Sequence, residues 1–211
     1  MENPFGLNEE GLEIYGALSS AVKIQDFLDT LAINHEKDSE TCMSPRSLLR
    51  TRKAHCFEAA AFAASVLWFH GHRPLLMEFR VARGDQDHAV ALYRVNGYWG
   101  AISKTNHLSL RFRDPIYGTL RELAVSYFHE YFMTESGTKT LRSYTSPFSL
   151  EPYGTTWITS EKEIWNMAHD LHKTEHIPLI PEGNEKYIRK ADTMERKGST
   201  LIEWERKDPR T

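Results

Sequence analysis

Hydrophobic and polar residues follow two different periods along this chain, which predicts a mixture of helices and strands. Apolar side chains recur about every 3.6 residues through 8–34, a spacing that predicts one long helix or two short ones. Residues 56–71 are small and apolar almost throughout, which predicts a helix that ends near Gly71. Residues 75–81 alternate between apolar and polar, and this period of two predicts a half-buried strand.

The strongest local signal is the dipeptide Asn96-Gly97, which lies between two alternating stretches. It favours a type I′ turn and therefore a tight β-hairpin. A turn of two residues fixes the register of the two strands, so Val95 is expected to pair with Tyr98.

This register predicts which polar side chains can meet. His88 is expected opposite Thr105, and Ser103 lies diagonally from His88 on the same face, within reach of a hydrogen bond. Lys104 and Asn106 project from the other face unless the strand has already ended. The hairpin therefore places a histidine and a serine together.

Further elements follow from apolar spacing and capping signals. They are a helical turn at 47–52 after a polar loop at 36–46, a helix from Leu120, a strand before Pro147, and a helix at about 161–172 that opens with the capping box Ser160 and Glu163. Together these elements predict an α+β fold, with a helix layer packed on a small antiparallel sheet of three to five strands. Residues 1–180 are expected to form a single domain with its core at about 44–135, and the charged, apolar-poor residues 181–211 a tail or a peripheral helix.

Composition narrows the function classes. The 211 residues are 40% hydrophobic and 26% charged, which is typical of a globular protein with a real core. A formal net charge of −3 provides no basic field for nucleic acid. The chain has no apolar run long enough to cross a membrane and no signal peptide, so we expect a cytoplasmic protein without a membrane partner. Its two cysteines, Cys42 and Cys56, predict no disulfide framework.

Cys56 is the residue with the clearest chemical signal. It lies where the basic stretch RTRKAH gives way to the predicted apolar helix. A thiol at a helix start is close to free N–H groups and to the positive end of the helix dipole, and both favour the thiolate. The thiolate is the reactive form, so Cys56 is a candidate nucleophile, with His88 as its base and Ser103 as the group that orients the imidazole.

The stretches AHCFEAAAFAASVLWFHGHRPLLMEFR and DHAVALYRVNGYWGAISKTN carry a resemblance to a known family. Over about residues 50–107 the chain resembles the transglutaminase-like superfamily of the papain-like cysteine protease fold. RFRDPIYGTLRELAVSYFHEYF is similar to stretches of uncharacterised bacterial members. The resemblance implies a papain-like core in which Cys56 is the nucleophile, His88 is the base, and Ser103 occupies the position of the family's acidic residue.

This chain departs from the family at that third position. Ser103 is neutral, so it can accept a hydrogen bond from the imidazole but cannot stabilise an imidazolium as a carboxylate would. Asn106, Asp85 and Asp87 are the alternative orienting residues. His55 is expected to cap the helix rather than to act as a base.

The resemblance implies a cysteine-dependent enzyme that transfers an acyl group or hydrolyses an amide or peptide bond. Lys104 and Asn106 are expected to bind the peptide, amide or acyl substrate. The alternative is a catalytically silent transglutaminase-like binding module. The sequence leaves the oligomeric state open.

No cofactor or metal is expected. His169, His172 and His176 have a spacing that zinc sites use, but no cysteine or carboxylate set close to them in the sequence completes a tetrahedral site. The chain also has no glycine-rich phosphate loop. The histidines are therefore interpreted as a solvated helix end.

Overall fold

A computed structural model of the protein describes residue 3 and the ranges 5–35 and 41–204. Within these ranges the chain forms helices and a mostly antiparallel sheet, which confirms the α+β class. The α-helices are α1 (Glu9–Ala17), α2 (Ala21–Asp29), α3 (Pro45–Thr51), α4 (Cys56–Phe69), α5 (Leu120–Phe128), α6 (Trp165–Lys173) and α7 (Thr193–Ser199). The strands are β1 (Ala32–Ile33), β2 (Lys53–Ala54), β3 (Leu75–Val81), β4 (His88–Val95), β5 (Tyr98–Ile102), β6 (Arg113–Tyr117), β7 (Leu141–Thr145), β8 (Phe148–Ser149) and β9 (His176–Pro178).

The main sheet has the strand order β6-β5-β4-β3-β7-β9, and β8 also pairs with β3. Each of these pairs is antiparallel, whereas β1 and β2 form a separate parallel pair. The expected three to five strands were too few, because the additional strands are short. β6 even contains Pro115, a residue that usually argues against a strand and is tolerated here because β6 lies at the edge of the sheet.

The sheet buries apolar side chains on both faces. On one face Leu76, Ala89 and Ala91 pack in the same cluster as most of α4 and the buried side of α6. On the other face Phe79 and Val90 belong to a second cluster that includes the buried side of α5. Helix α4 is apolar on all sides because it lies between the sheet and the N-terminal helices.

The hairpin has the predicted turn and register. Asn96 and Gly97 both have positive φ, 50° and 89°, as a type I′ turn requires. Val95 pairs with Tyr98, and the ladder continues in step as far as Ile102. The pairing of His88 with Thr105 was wrong, because the ladder ends at Ile102; His88 instead pairs with Phe79 of β3.

Helix α6 begins later than predicted, at Trp165, and the capping box of Ser160 and Glu163 does not form. The Ser160 hydroxyl accepts from the N–H of Lys162 instead. The Glu163 carboxylate accepts from the N–H of Cys42, 3.3 Å away, and from the indole N–H of Trp165. A tertiary contact therefore outcompetes the local cap.

Residues 8–34 form two short helices, because Leu18 ends α1 and the Ser20 hydroxyl caps α2. Helix α3 begins at Pro45, earlier than predicted, and is capped by Ser44. Of the polar loop at 36–46, residues 36–40 lie outside the described residues. None of the helices in the described ranges is long and apolar enough to cross a membrane.

Candidate active site

Cys56 lies at the first position of α4 and is half-buried. His55 is the N-cap, and its Nδ1 accepts a hydrogen bond from the N–H of Phe57, 3.2 Å away. Glu58 completes a capping box by accepting from the N–H of His55 at 3.0 Å. The expected capping role of His55 is confirmed, and the cap holds the thiol at the positive end of the helix dipole.

The environment of Cys56 favours its thiolate. Burial alone would raise the pKa of the thiol, but hydrogen bonds from His55 and His88 and the positive charge of those imidazoles outweigh burial. The pKa of Cys56 is therefore well below its ordinary value. The structure thus brings together the sulfur and the imidazole that the sequence separates by more than thirty residues.

A chain of hydrogen bonds determines the tautomer of His88. The Ser103 hydroxyl has one hydrogen, which it donates to the carbonyl of Leu110 at 2.5 Å. Ser103 Oγ lies 2.7 Å from Nε2 of His88, so this oxygen accepts and Nε2 carries the proton. Nδ1 of neutral His88 then carries no hydrogen and is an acceptor, which is the form that can take the thiol proton of Cys56.

Ser103 is itself held by a side chain from another element. Gln25 of α2 is buried, and its amide oxygen accepts from the N–H of Ser103 at 3.0 Å. Its amide nitrogen donates to the carbonyl of Ser103 at 2.8 Å and to Asp29 at 2.9 Å. Gln25 therefore replaces the strand partner that Ser103 lacks beyond the end of β5. This role of Gln25 was not predicted from the sequence, because nothing local marks a helix glutamine as a partner of the hairpin.

Glu58 is a second residue of the site that was not predicted from the sequence. Its carboxylate is fully buried and accepts from the N–H of Met43 and the hydroxyl of Thr41, each at 2.9 Å, as well as from His55. A buried carboxylate with several donors is a strong anchor. The spacing of Glu58 three residues after His55 is the capping-box signal that could have identified it.

His55 has two states. Burial lowers the pKa of His55, but the hydrogen bond and charge of Cys56 and the charge of Glu58 raise it to about 9 overall. A protonated ring carries hydrogens on both nitrogens, so it cannot accept from the N–H of Phe57. We therefore assign the capped geometry to the neutral ring and the protonated ring to an ion pair with the Cys56 thiolate.

The two residues expected to bind substrate have structural contacts instead. Lys104 is 1% exposed, and its ammonium donates to the carbonyl of Leu31 at 2.7 Å. Burial lowers the pKa of Lys104. The Asn106 side chain holds the C-terminal segment by bonding to the backbone of Trp204, at 2.8 and 3.0 Å.

The alternative orienting residues also have other partners. The Asp85 carboxylate accepts from Thr140 at 2.5 Å, and Asp87 accepts from the N–H of Val81 at 2.9 Å. Within the described part of the chain, Ser103 is the residue that contacts the Nε2 of His88. No protein-family model and no curated protein matches this chain.

Proposed function

We propose that this protein is a transglutaminase-like thiol enzyme that transfers an acyl group or hydrolyses an amide or peptide bond. The observation that carries the proposal is the combination of a Cys56 thiol with a lowered pKa and a His88 imidazole that bonds to Ser103 through Nε2, so that Nδ1 is available to Cys56. The position of Cys56 at the start of a helix packed against an antiparallel sheet supports a papain-like core. We further propose a cytoplasmic location, in which both cysteines stay reduced.

In the proposed reaction, Nδ1 of His88 takes the proton of Cys56, and the thiolate attacks the carbonyl carbon of the substrate. The tetrahedral intermediate collapses as the His88 imidazolium gives its proton to the leaving amine, which leaves an acyl group on the sulfur. Water or an amine then attacks the thioester, with His88 again as base, and the thiol is restored.

The helix start supplies donors for the oxyanion of the intermediate. The N–H of Cys56 is the donor nearest the sulfur. The N–H of Phe57 is occupied by neutral His55 and is released when His55 is protonated.

A test is acylation of the purified protein with p-nitrophenyl acetate, with the modified residue mapped by mass spectrometry. We expect one acetyl group on Cys56, followed by turnover, and an iodoacetamide reaction whose apparent pKa lies well below about 8.5. Cys56→Ala should abolish acylation and turnover. Cys42→Ser is the matched control, because Cys42 is 1% exposed and lies outside the site. Equal turnover by Cys56→Ala would exclude the proposal.

One observation favours a second function, a catalytically silent binding module. Ser103 is neutral, so nothing at its position would stabilise a His88 imidazolium as a carboxylate does. In that case the Cys56 thiol would titrate near about 8.5 and would not be acylated. The same two measurements therefore separate the functions.

A further inference from the structure

Four side chains from different elements lie close together at β3: Glu78, Asp87, His172 and His176. Oε2 of Glu78 lies 3.3 Å from Nδ1 of His172 and 3.3 Å from Nε2 of His176. Nδ1 of His172 lies 3.9 Å from Oδ2 of Asp87. The ligand atoms of Glu78, Asp87 and His172 all lie within 4.8 Å of one another. Two carboxylates and the His172 imidazole therefore face a common point, and the His176 imidazole borders that point through its contact with Glu78.

Two atoms of this cluster are buried without hydrogen-bond partners. Glu78 is 9% exposed, and the side chain of His176 is 8% exposed. Within the described residues, neither Oε2 of Glu78 nor Nε2 of His176 has a hydrogen bond. A buried polar atom without a partner is costly, and both of these atoms are good metal ligands.

We propose that Glu78, Asp87 and His172 bind a divalent transition metal of the zinc class, and that His176, which lies 3.3 Å from Glu78, moves onto the bound ion as the fourth ligand. Zinc–ligand bonds of about 2.0–2.2 Å in a tetrahedron separate neighbouring ligand atoms by about 3.3–3.5 Å. The two 3.3 Å separations around Glu78 match that edge, and the 3.9 Å between Nδ1 of His172 and Oδ2 of Asp87 is longer, so Asp87 would approach the ion by a few tenths of an ångström. Four protein ligands describe a closed, structural site.

Contacts behind the ligands suit this role. Nδ1 of His176 lies 3.1 Å from the Ser143 hydroxyl, and a donated hydrogen there leaves Nε2 as the acceptor that a metal requires. Oδ1 of Asp87 accepts from the N–H of Val81 at 2.9 Å, which leaves Oδ2 for the metal. Both contacts orient the ligands toward the common point.

Arg80 is the positive charge that opposes a cation here. Its guanidinium donates to the carbonyl of His172 at 2.6 Å and lies 3.5 Å from Nδ1 of His172 and 3.9 Å from Oε2 of Glu78, so a bound ion would displace it from Nδ1. Two carboxylates and Arg80 together leave a net charge of −1, so a divalent cation still meets a negative site. The expectation of no metal rested on the neighbours of His172 in sequence, whereas folding supplies Glu78 and Asp87 from β3 and the loop before β4.

The metal would tie α6 and β9 to the end of the β3–β4 unit. The test uses the Cys56→Ala chain, so that the thiol cannot bind metal, and this chain carries no histidine tag. After treatment with a chelator, the protein is titrated with Zn²⁺ in a calorimeter. We expect one Zn²⁺ per chain. The intact chain should bind the same ion, and its Co²⁺ form should lack the thiolate-to-metal charge-transfer band that coordination by Cys56 would give.

Three variants make the test specific. His172→Ala, at a side chain that is 57% exposed, should weaken binding at least about 100-fold, since even the loss of an outer contact costs roughly 10- to 100-fold. Ser143→Ala should weaken it by about 10-fold. His169→Ala is the matched control on the same helix and should bind as the parent does. Absence of stoichiometric Zn²⁺ binding, binding that requires Cys56, or equal affinity in His172→Ala would overturn the proposal.

Discussion

At the scale of one residue, the hydrogen bonds around Ser103 explain why a hydroxyl group lies beside His88. The position must donate to the carbonyl of Leu110 and accept from Nε2 of His88, and a hydroxyl does both. An ionised carboxylate would only accept, so it would face the Leu110 carbonyl with no hydrogen to offer. The local hydrogen-bond polarity therefore favours serine here, although a carboxylate would serve an imidazolium better.

We predict that Ser103→Ala slows the reaction of Cys56 with iodoacetamide or an acyl ester about 5- to 100-fold. The variant leaves the N–H of His88 unpaired, a change of about 1–3 kcal/mol. Ser103→Thr keeps the hydroxyl and should retain most of the rate, whereas Ser103→Asp should not exceed the parent. The rates would be measured across pH on variants whose folding is verified by circular dichroism. A Ser103→Asp protein faster than the parent would contradict this account of the site.

At the scale of elements, the site depends on how α2 meets the hairpin. Gln25 of α2 clamps both backbone groups of Ser103 just beyond the last ladder pair of β5. The helix therefore takes the place of a neighbouring strand. Gln25 positions Ser103 and does not itself take part in the reaction.

Gln25→Ala is expected to destabilise the fold by about 1–3 kcal/mol, because the N–H and carbonyl of Ser103 would be buried without partners. It should also slow Cys56 acylation. The pH at which the acylation rate is half-maximal should shift from the parent value by less in Gln25→Ala than in His88→Ala. Urea unfolding and the rate–pH profile measure these effects. Asp26→Ala, at an exposed position of the same helix, is the matched control and should change neither. An unaltered rate in folded Gln25→Ala would show that the clamp is dispensable.

The elements themselves were predictable to different extents. The hairpin and the helix start at Cys56 followed from the sequence, because turn and helix-start signals act between near neighbours. The short strands β8 and β9 carry too few residues for a period to show. The start of α6 was wrong because Glu163 is drawn to Cys42, a contact that no local pattern contains.

At the scale of the whole molecule, the ionisation of the site is coupled to folding. Burial opposes the thiolate, but the imidazoles of His55 and His88 lower the pKa of Cys56. That shift stabilises the fold above the unfolded thiol pKa of about 8.5, and the benefit is lost as pH falls through the folded value. The pKa of His55 is raised to about 9, so its contribution is present below about 6.5 and is lost as pH rises through about 9.

Because the two contributions have opposite signs, they predict how the free energy of unfolding of the parent, minus that of Cys56→Ala, varies with pH. Where the thiolate and the protonated His55 are both favoured only by the folded state, the two contributions cancel and the difference should stay level up to about 8.5; above that it should decrease until the His55 contribution is lost at about 9. Urea unfolding at a series of pH values measures it. Cys42→Ala should lower stability by a similar amount across the level range. A difference that increases steadily through pH 8 would rule out protonation of His55 by the folded site.

Local features of this protein follow from neighbours in its sequence: the cysteine at a helix start, the type I′ turn and the hairpin register as far as Ile102. Those features depend on backbone preferences and hydrogen bonds that span only a few residues. The Gln25 clamp, the burial of Lys104 and the gathering of Glu78 and Asp87 around two histidines were decided only by folding. They join residues that are far apart in the chain, and packing of helices against the sheet, rather than any local preference, brings those residues together.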